Sequence, residues 1–304
     1  MAVESYIRFA GGDELPEGCI TNALSLTSPK DACRLSLVAS TFRSAAESDA
    51  VWERFLPPDY YDIISRSIDG PDSVLAVGSK KELYLHLCDH PILIDGGTKS
   101  FSLEKWSGKK CYMLAARSLQ IVWGDTPRYW RWISLPESRF SEVAELLDVC
   151  WFDMSGKINT NMLSPDIRYG AYLVFTTKSR TYGFGDQPAE SSVGIAGHER
   201  ETQTVYLDPQ ERRRQYRYQV VPRRLGIFTH HMAHILRQEV EDSTSEGRHP
   251  KQRSDGWMEI ELGEFFVKSG QEAEIEMSLT EVKGGNWKSG LIIEGIDIRP
   301  KEGK

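Results

Sequence analysis

The sequence is short of several things, and each shortage excludes a class of protein. Cysteine is scarce: five in 304 residues, an odd number with none in a C-x-x-C pair, which is neither a disulfide scaffold nor a zinc ribbon. Cys19, Cys33, Cys88, Cys111 and Cys150 read as reduced core thiols of an intracellular protein, a disulfide among them being the alternative. Long apolar runs are missing. Ala171 to Phe175 is typical of the longest, far below the roughly 18 residues of a membrane-spanning helix, so no membrane partner is expected. The stretch from Met1 to Gly18 carries Glu4, Asp13 and Glu14 and lacks the basic start and apolar centre of a secretory signal. The expected location is the cytoplasm and nucleus. Positive charge is short too: 37 Lys and Arg against 44 Asp and Glu leave a net charge of −7, which argues against nucleic acid as a partner.

The marks of common enzymes are equally thin. Neither Gly108-Lys109 nor Gly156-Lys157 has the glycine five residues earlier that a P-loop needs. There is no G-x-S-x-G, and Gly183-Phe184-Gly185 lacks the third glycine of a dinucleotide loop. Glu259 and Glu261 are paired carboxylates, but on one strand they lie side by side, whereas a glycosidase needs acids on opposite sides of a bond. His230 and His234 have helical spacing without the glutamate of H-E-x-x-H or a third ligand, so a plain loop helix is the reading. No catalytic residue, cofactor or metal is expected.

What is present is an ordinary globular composition of 40% hydrophobic, 10% aromatic and 27% charged residues, with length for two domains. Ser28-Pro29-Lys30-Asp31 reads as a helix start: the serine caps, the proline fits the first helical position and the aspartate returns to the cap. Ala32, Leu35, Val38, Ala39 and Phe42 continue one apolar stripe to about Arg43. A second helix, capped by Ser48 or Asp49, buries Val51, Trp52, Phe55 and Leu56 and stops at Pro57-Pro58. Ser79-Lys80-Lys81-Glu82 opens a third, with Leu83 and Leu87 inward and a stop at Pro91.

From Asp95-Gly96-Gly97 the texture becomes that of an antiparallel all-β domain. Strands are expected at 111–116, 119–123, 131–134, 149–153, 169–176, 202–208, 257–262, 273–282 and 291–299. Met258, Ile260 and Leu262 alternate with Glu259 and Glu261, a half-solvated sheet. Between Asp208 and Lys251 stands an insertion holding Arg212, Arg213, Arg214, Arg217, Arg223 and Arg224, then an apolar stretch from Gly226 to Leu236, then the polar Glu241 to Gly247. The arginines suit a solvated loop, with a nuclear localisation signal or a nucleic-acid patch as the alternatives; the apolar stretch suits an amphipathic partner helix or translated non-coding sequence.

Two resemblances follow from these residues. Leu15-Pro16, the capped helix from Ser28, and Val51-Trp52-Glu53-Arg54-Phe55-Leu56 resemble an F-box. Ala115 to Leu119, Trp123 to Trp132, Ser254 to Ile260, Gly263 to Phe266, Trp287 to Gly290 and Gly295 to Pro300 resemble the phloem protein 2 or Nictaba-type lectins. The order is similar to the B-type phloem protein 2 F-box proteins of plants. The fold this implies is multidomain, α plus all-β: a disordered start (1–12), a small helical F-box (13–57), a helical linker (58–98), and an antiparallel, jelly-roll-like β-sandwich (99–300) with a loop insertion at 208–251.

The resemblance implies that the F-box docks on the Skp adaptor of a cullin-RING ubiquitin ligase while the sandwich chooses the substrate. Leu15, Pro16, Ile20, Leu26, Leu35, Val38, Trp52 and Phe55 are more apolar surface than three short helices hide, so part should face the adaptor; the alternative is that all are internal core. In the lectins, two tryptophans implicated in sugar binding match Trp123 and Trp130. A pyranose offers an apolar face and a hydroxyl rim, and Trp123, Asp125, Tyr129, Trp130 and Trp132 supply aromatic and polar groups around an Asp-Thr-Pro turn. Core burial is the alternative for each tryptophan. Trp151, Trp257 and Trp287 are assigned to core or structural corners, and Glu259 and Glu261 to a solvated strand face. The expected function is substrate recognition in a Skp-cullin-F-box ligase through N-glycan or N-acetylglucosamine-containing carbohydrate on glycoproteins. The alternatives are a nucleocytoplasmic lectin without a degradative role and a protein-protein interaction module.

Overall fold

The computed structural model describes residues 15–184, 187–208 and 248–301. The expected disordered start (1–12), the insertion from 209 to 247 with its arginine cluster, and the His230 and His234 pair lie outside the described residues. The helices are α1 (Glu17–Ser25), α2 (Pro29–Leu35), α3 (Ser40–Glu47), α4 (Asp49–Phe55), α5 (Tyr60–Ser65), α6 (Pro71–Leu75) and α7 (Lys80–Asp89). Ser28 caps α2 as its sequence demands, accepting from the Asp31 amide at 3.1 Å, with Asp31 returning to the Ser28 hydroxyl at 2.7 Å and not to its amide. Ser79 caps α7 in the same way, accepting from the Glu82 amide at 3.2 Å, while the Glu82 carboxylate reaches back to the Gly78 amide at 2.8 Å.

The single helix expected from Ser28 to Arg43 is two. After Leu35 the chain tightens into bonds from Leu37 N to Arg34 O and Val38 N to Leu35 O, and Ala39 is extended at φ −154° and ψ 160°. The break turns α3 so that Ala45 and Ala46 pack inward, and α3 lies on α1. α4 ends where its prolines require: Leu56, the residue before Pro57, is extended at φ −67° and ψ 143°. Trp52 is the centre of this small core. Its indole donates to Ala46 O at 2.6 Å and packs on Phe55 and Tyr84 at centroid distances of 5.6 and 5.1 Å.

The strands are β1 (Ile92–Ile94), β2 (Lys99–Leu103), β3 (Lys110–Ala115), β4 (Gln120–Ile121), β5 (Trp130–Ile133), β6 (Val143–Leu146) and β7 (Phe152–Asn159). They continue with β8 (Ile167–Tyr182), β9 (Ala189–Ile195), β10 (Thr202–Val205), β11 (Lys251–Gln252), β12 (Met258–Val267), β13 (Glu274–Glu281) and β14 (Ser289–Pro300). Among the described residues they form two antiparallel sheets: nine strands along the path β1-β2-β3-β14-β8-β12-β11, with β6 on β14 and β5 on β6, and five in the order β10-β9-β13-β7-β4. The end of the expected linker is thus the first strand of the larger sheet. The sheets share one core, and they approach closely at Gly156 on β7, where an added Cβ would lie 3.1 Å from Ile296 Cδ1 on β14 and 3.2 Å from Leu114 Cδ1 on β3.

Alternation is as the sequence requires on β12: Met258, Ile260 and Leu262 are buried and the carboxylates face out. Those carboxylates are not simply solvated. Glu259 pairs with Arg253 at 3.0 Å and Arg299 at 2.6 Å, and Glu261 with Arg248 and Lys301, both at 2.8 Å. Where the insertion leaves the sandwich, Tyr206 N donates to Arg248 O at 2.9 Å, and the Tyr206 and His249 rings stack at 4.9 Å.

The helical unit is seated on the sandwich. The Tyr84 hydroxyl, on α7, donates to Glu104 O at 3.3 Å and Lys105 O at 3.0 Å in the β2–β3 loop. Lys110, nearly buried on β3, reaches Asp59 at 2.8 Å.

Among the described residues, one ion pair is wholly internal. Lys288 is 0% exposed, donates to Asn286 O at 2.7 Å and Cys150 O at 3.1 Å, and pairs with the buried Glu281 carboxylate. Burial pushes the Lys288 pKa down, and the Glu281 carboxylate is the counter-charge beside the ammonium. Removing one partner strands a buried charge. Lys288→Met is therefore expected to cost about 3–5 kcal/mol in denaturant unfolding, and Lys288→Met with Glu281→Leu to recover most of it. A double variant no more stable than the single one would refute this account.

Candidate functional site

A groove of about 590 Å³ runs beside β4, walled by Arg117, Gln120, Val122, Gly124, Asp125, Trp132, Asp153 and Ser155 among others. Its shape follows from strand pairing. β4 pairs with β7 in the register Gln120 to Ser155 and Ile121 to Met154, and Val122 N donates to Asp153 O at 3.0 Å. The chain then turns: Gly124 N bonds to Ile121 O at 2.9 Å, Thr126 N to Trp123 O at 2.8 Å, and Trp123 sits at φ 58°. A positive φ on so large a residue is strained, and the turn is braced from two sides. Trp130 Nε1 donates to Val122 O at 3.2 Å and Trp132 Nε1 to Gly124 O at 3.1 Å.

The five residues nominated around this turn take different roles. Trp123 is 43% exposed and lies against Tyr129 with centroids 5.1 Å apart. Trp132 walls the groove with the Arg117 guanidinium 3.8 Å over its ring, so one of its faces is covered. Asp125 is fully in solvent, 3.9 Å from Arg117, whose Nε is held by Glu142 at 2.9 Å. Trp130 corrects the expectation. At 2% exposed it faces the core beside Phe152, because the inward positions of β5 stack on β7, and no ligand reaches its ring.

Two other tryptophans depart from the core assignment. Trp257 is buried as expected, but Trp151 and Trp287 are exposed. On β7 the residues Phe152, Met154, Gly156 and Ile158 face in, so Trp151 points out with Asp153 and Ser155, its Nε1 3.5 Å from Asp153 Oδ2. The two-residue alternation carries that signal, and it was outweighed by the general habit of burying indoles. Arg117, Gln120, Asp153 and Ser155 were missed as groove residues because strand pairing, not local sequence, brings them together. Of the thiols expected in the core, Cys19 and Cys33 are exposed and all five are free.

At the helical end, the nominated adaptor-facing residues divide. Leu15, Pro16, Leu26 and Val38 are exposed and Leu35 is half-buried, whereas Ile20, Trp52 and Phe55 are buried in the helical core. The three internal residues hold α1, α4 and α7 together and offer no surface to a partner, which corrects that part of the expectation. Leu37, not nominated, is the most exposed large apolar residue among those described, at 87%. It lies off the three- and four-residue stripe that the sequence displays, in the turn that ends α2.

Comparison with known proteins agrees with this division. The F-box family model matches residues 13–54 and the phloem protein 2 model residues 109–300. An F-box protein of Arabidopsis thaliana is 48% identical over 95% of this chain and 80% of its own length. F-box proteins PP2-B1 and PP2-B10 of the same plant are 43% and 46% identical, covering 98% and 95% of this chain and 92% and 93% of theirs. A solved family GH115 4-O-methyl-α-glucuronidase overlays at a TM-score of 0.31 and 11% identity, covering 96% of this chain and 34% of that one.

The contrast between the two turn tryptophans is measurable. Trp130→Ala is expected to lose about 3–5 kcal/mol of stability through lost packing, while Trp123→Ala stays within about 1 kcal/mol of the parent. Thermal and urea unfolding of the two variants decide it; equal losses would place Trp123 in the core.

Proposed function

Since this chain belongs to the F-box proteins that carry a phloem protein 2 domain, we propose that it is the substrate-recognition subunit of a Skp-cullin-F-box ubiquitin ligase. Its sandwich takes N-glycan or N-acetylglucosamine-containing carbohydrate on the protein to be marked. The observation that carries the glycan half is the exposed Trp123 indole, locked at positive φ beside a groove walled by Asp153, Ser155 and Gln120. The indole suits the apolar face of a pyranose, and the carboxylate, hydroxyl and amide suit its rim. Trp130, the second tryptophan matching the lectin pattern, acts from beneath by bracing Val122. Tyr129 backs the Trp123 ring, and Asp125 and Trp132 complete the wall.

On the adaptor side, Leu15, Pro16, Leu26, Leu35 and Val38 supply the apolar contact, with Leu37 added. The chain binds at both ends and performs no chemistry; ubiquitin transfer belongs to the ligase partners. Its five free thiols suit the reducing cytoplasm and nucleus, where we place it.

Two experiments test the halves separately. Full-length protein on a glycan array is expected to show selective binding that Trp123→Ala removes; silence from folded protein would defeat the lectin half. Leu15→Ala with Pro16→Ala is expected to weaken binding to purified Skp adaptor by about 2 kcal/mol, roughly thirtyfold. Unchanged affinity in that variant would defeat the adaptor half.

A further inference from the structure

We infer that the docking surface for the Skp adaptor continues beyond the helices onto the β2–β3 hairpin, with Trp106 at the hairpin tip as its outlying anchor. This rests on the adaptor reading above and extends it to a residue outside the F-box.

Trp106 is 52% exposed at the tip of a loop that is fixed from within. The Glu104 carboxylate accepts from Trp106 N at 3.1 Å, Ser107 N at 2.8 Å and Ser107 Oγ at 2.6 Å. Gly108 N returns to Glu104 O at 2.8 Å, and Glu104 N to Lys109 O at 2.8 Å. From the helical side Tyr84 holds both Glu104 O and Lys105 O, and Lys105 Nζ pairs with Asp89 at 3.0 Å. An indole presented by so constrained a loop loses little freedom when a partner covers it, the circumstance in which an aromatic side chain contributes most to binding.

Its position names the partner. The Lys30 ammonium, at the start of α2, lies 6.0 Å from the centre of the Trp106 ring. One turn along α2 from Lys30 is the exposed Cys33, and beyond the helix end is Leu37. Leu26 is exposed just before α2 begins. The ring therefore continues the apolar surface that flanks α2, the same surface assigned to the adaptor. A protein seated on Leu26, Leu37 and Val38 has Trp106 at its margin, where the indole is half exposed with the Lys30 ammonium over its ring.

The test uses full-length protein and purified Skp adaptor in a calorimetric titration. Trp106→Ala is expected to weaken the complex at least tenfold with an unchanged melting temperature, and Trp106→Phe to keep most of the affinity. An affinity unchanged in Trp106→Ala, while Leu15→Ala with Pro16→Ala still weakens binding roughly thirtyfold, overturns this inference and leaves the adaptor reading standing. Binding absent from the parent protein overturns both. A loss of affinity accompanied by an equal fall in melting temperature in both Trp106 variants assigns the effect to collapse of the loop and likewise overturns it.

Discussion

The Tyr84 side chain is the constraint on which the two halves of this molecule depend. Its ring is buried against Trp52, the centre of the helical core, and its hydroxyl is spent on two carbonyls of the β2–β3 loop. Burial pushes the phenol pKa far above neutrality, so it remains a donor at every physiological pH. Gly108 belongs to the same contact: an added Cβ there would meet Phe55 O at 2.8 Å, so the hairpin comes against the end of α4 only because that position has no side chain. Around this point the Asp59 to Lys110 and Asp89 to Lys105 pairs are secondary ties. The helical unit and the sandwich are therefore packed through side chains with fixed partners, and the exposed residues flanking α2 and the groove beside β4 belong to one packed body.

Much of this was legible in the chain itself, for local reasons. Ser28 and Ser79 announce their helices because a hydroxyl satisfies an amide three residues ahead, an interaction written within four residues. Pro57 ends α4 through its effect on Leu56, again a neighbour. The alternation from Trp257 to Leu262 is visible because one face of β12 is core and the other is not. The break between α2 and α3 was not visible, since the apolar stripe runs through it without interruption; only the packing of Ala45 and Ala46 on α1 reveals that the chain has turned. β6 and β9 were missed as well, one short and the other rich in serine and glycine, their pairing decided by distant strands.

The candidate site shows the same division. Aromatic density around Asp125 pointed to the turn, and the turn is where the groove lies. Sequence nominates Trp123, Trp130 and Trp132 together around one turn, whereas the fold makes one a free surface, one a buried strut and one a wall half covered by an arginine. Which is which depends on β5 lying over β7, a contact across more than twenty residues of chain. The groove's polar groups come from β4 and β7 together and have no signature in either strand alone.

The neck of the insertion has a consequence for what the intervening chain costs the fold. Tyr206 and Arg248 are joined by backbone hydrogen bonding, and the Tyr206 and His249 rings close the base like a clasp. The sandwich thus meets the intervening chain at two adjacent points that stay together whatever lies between them. Lengthening a loop whose ends are already joined adds only a logarithmic entropic cost, about 0.6 kcal/mol for each doubling. The pairing of Tyr206 with Arg248 and His249 thus belongs to the sandwich, which keeps residues 206 and 248 side by side through its own contacts.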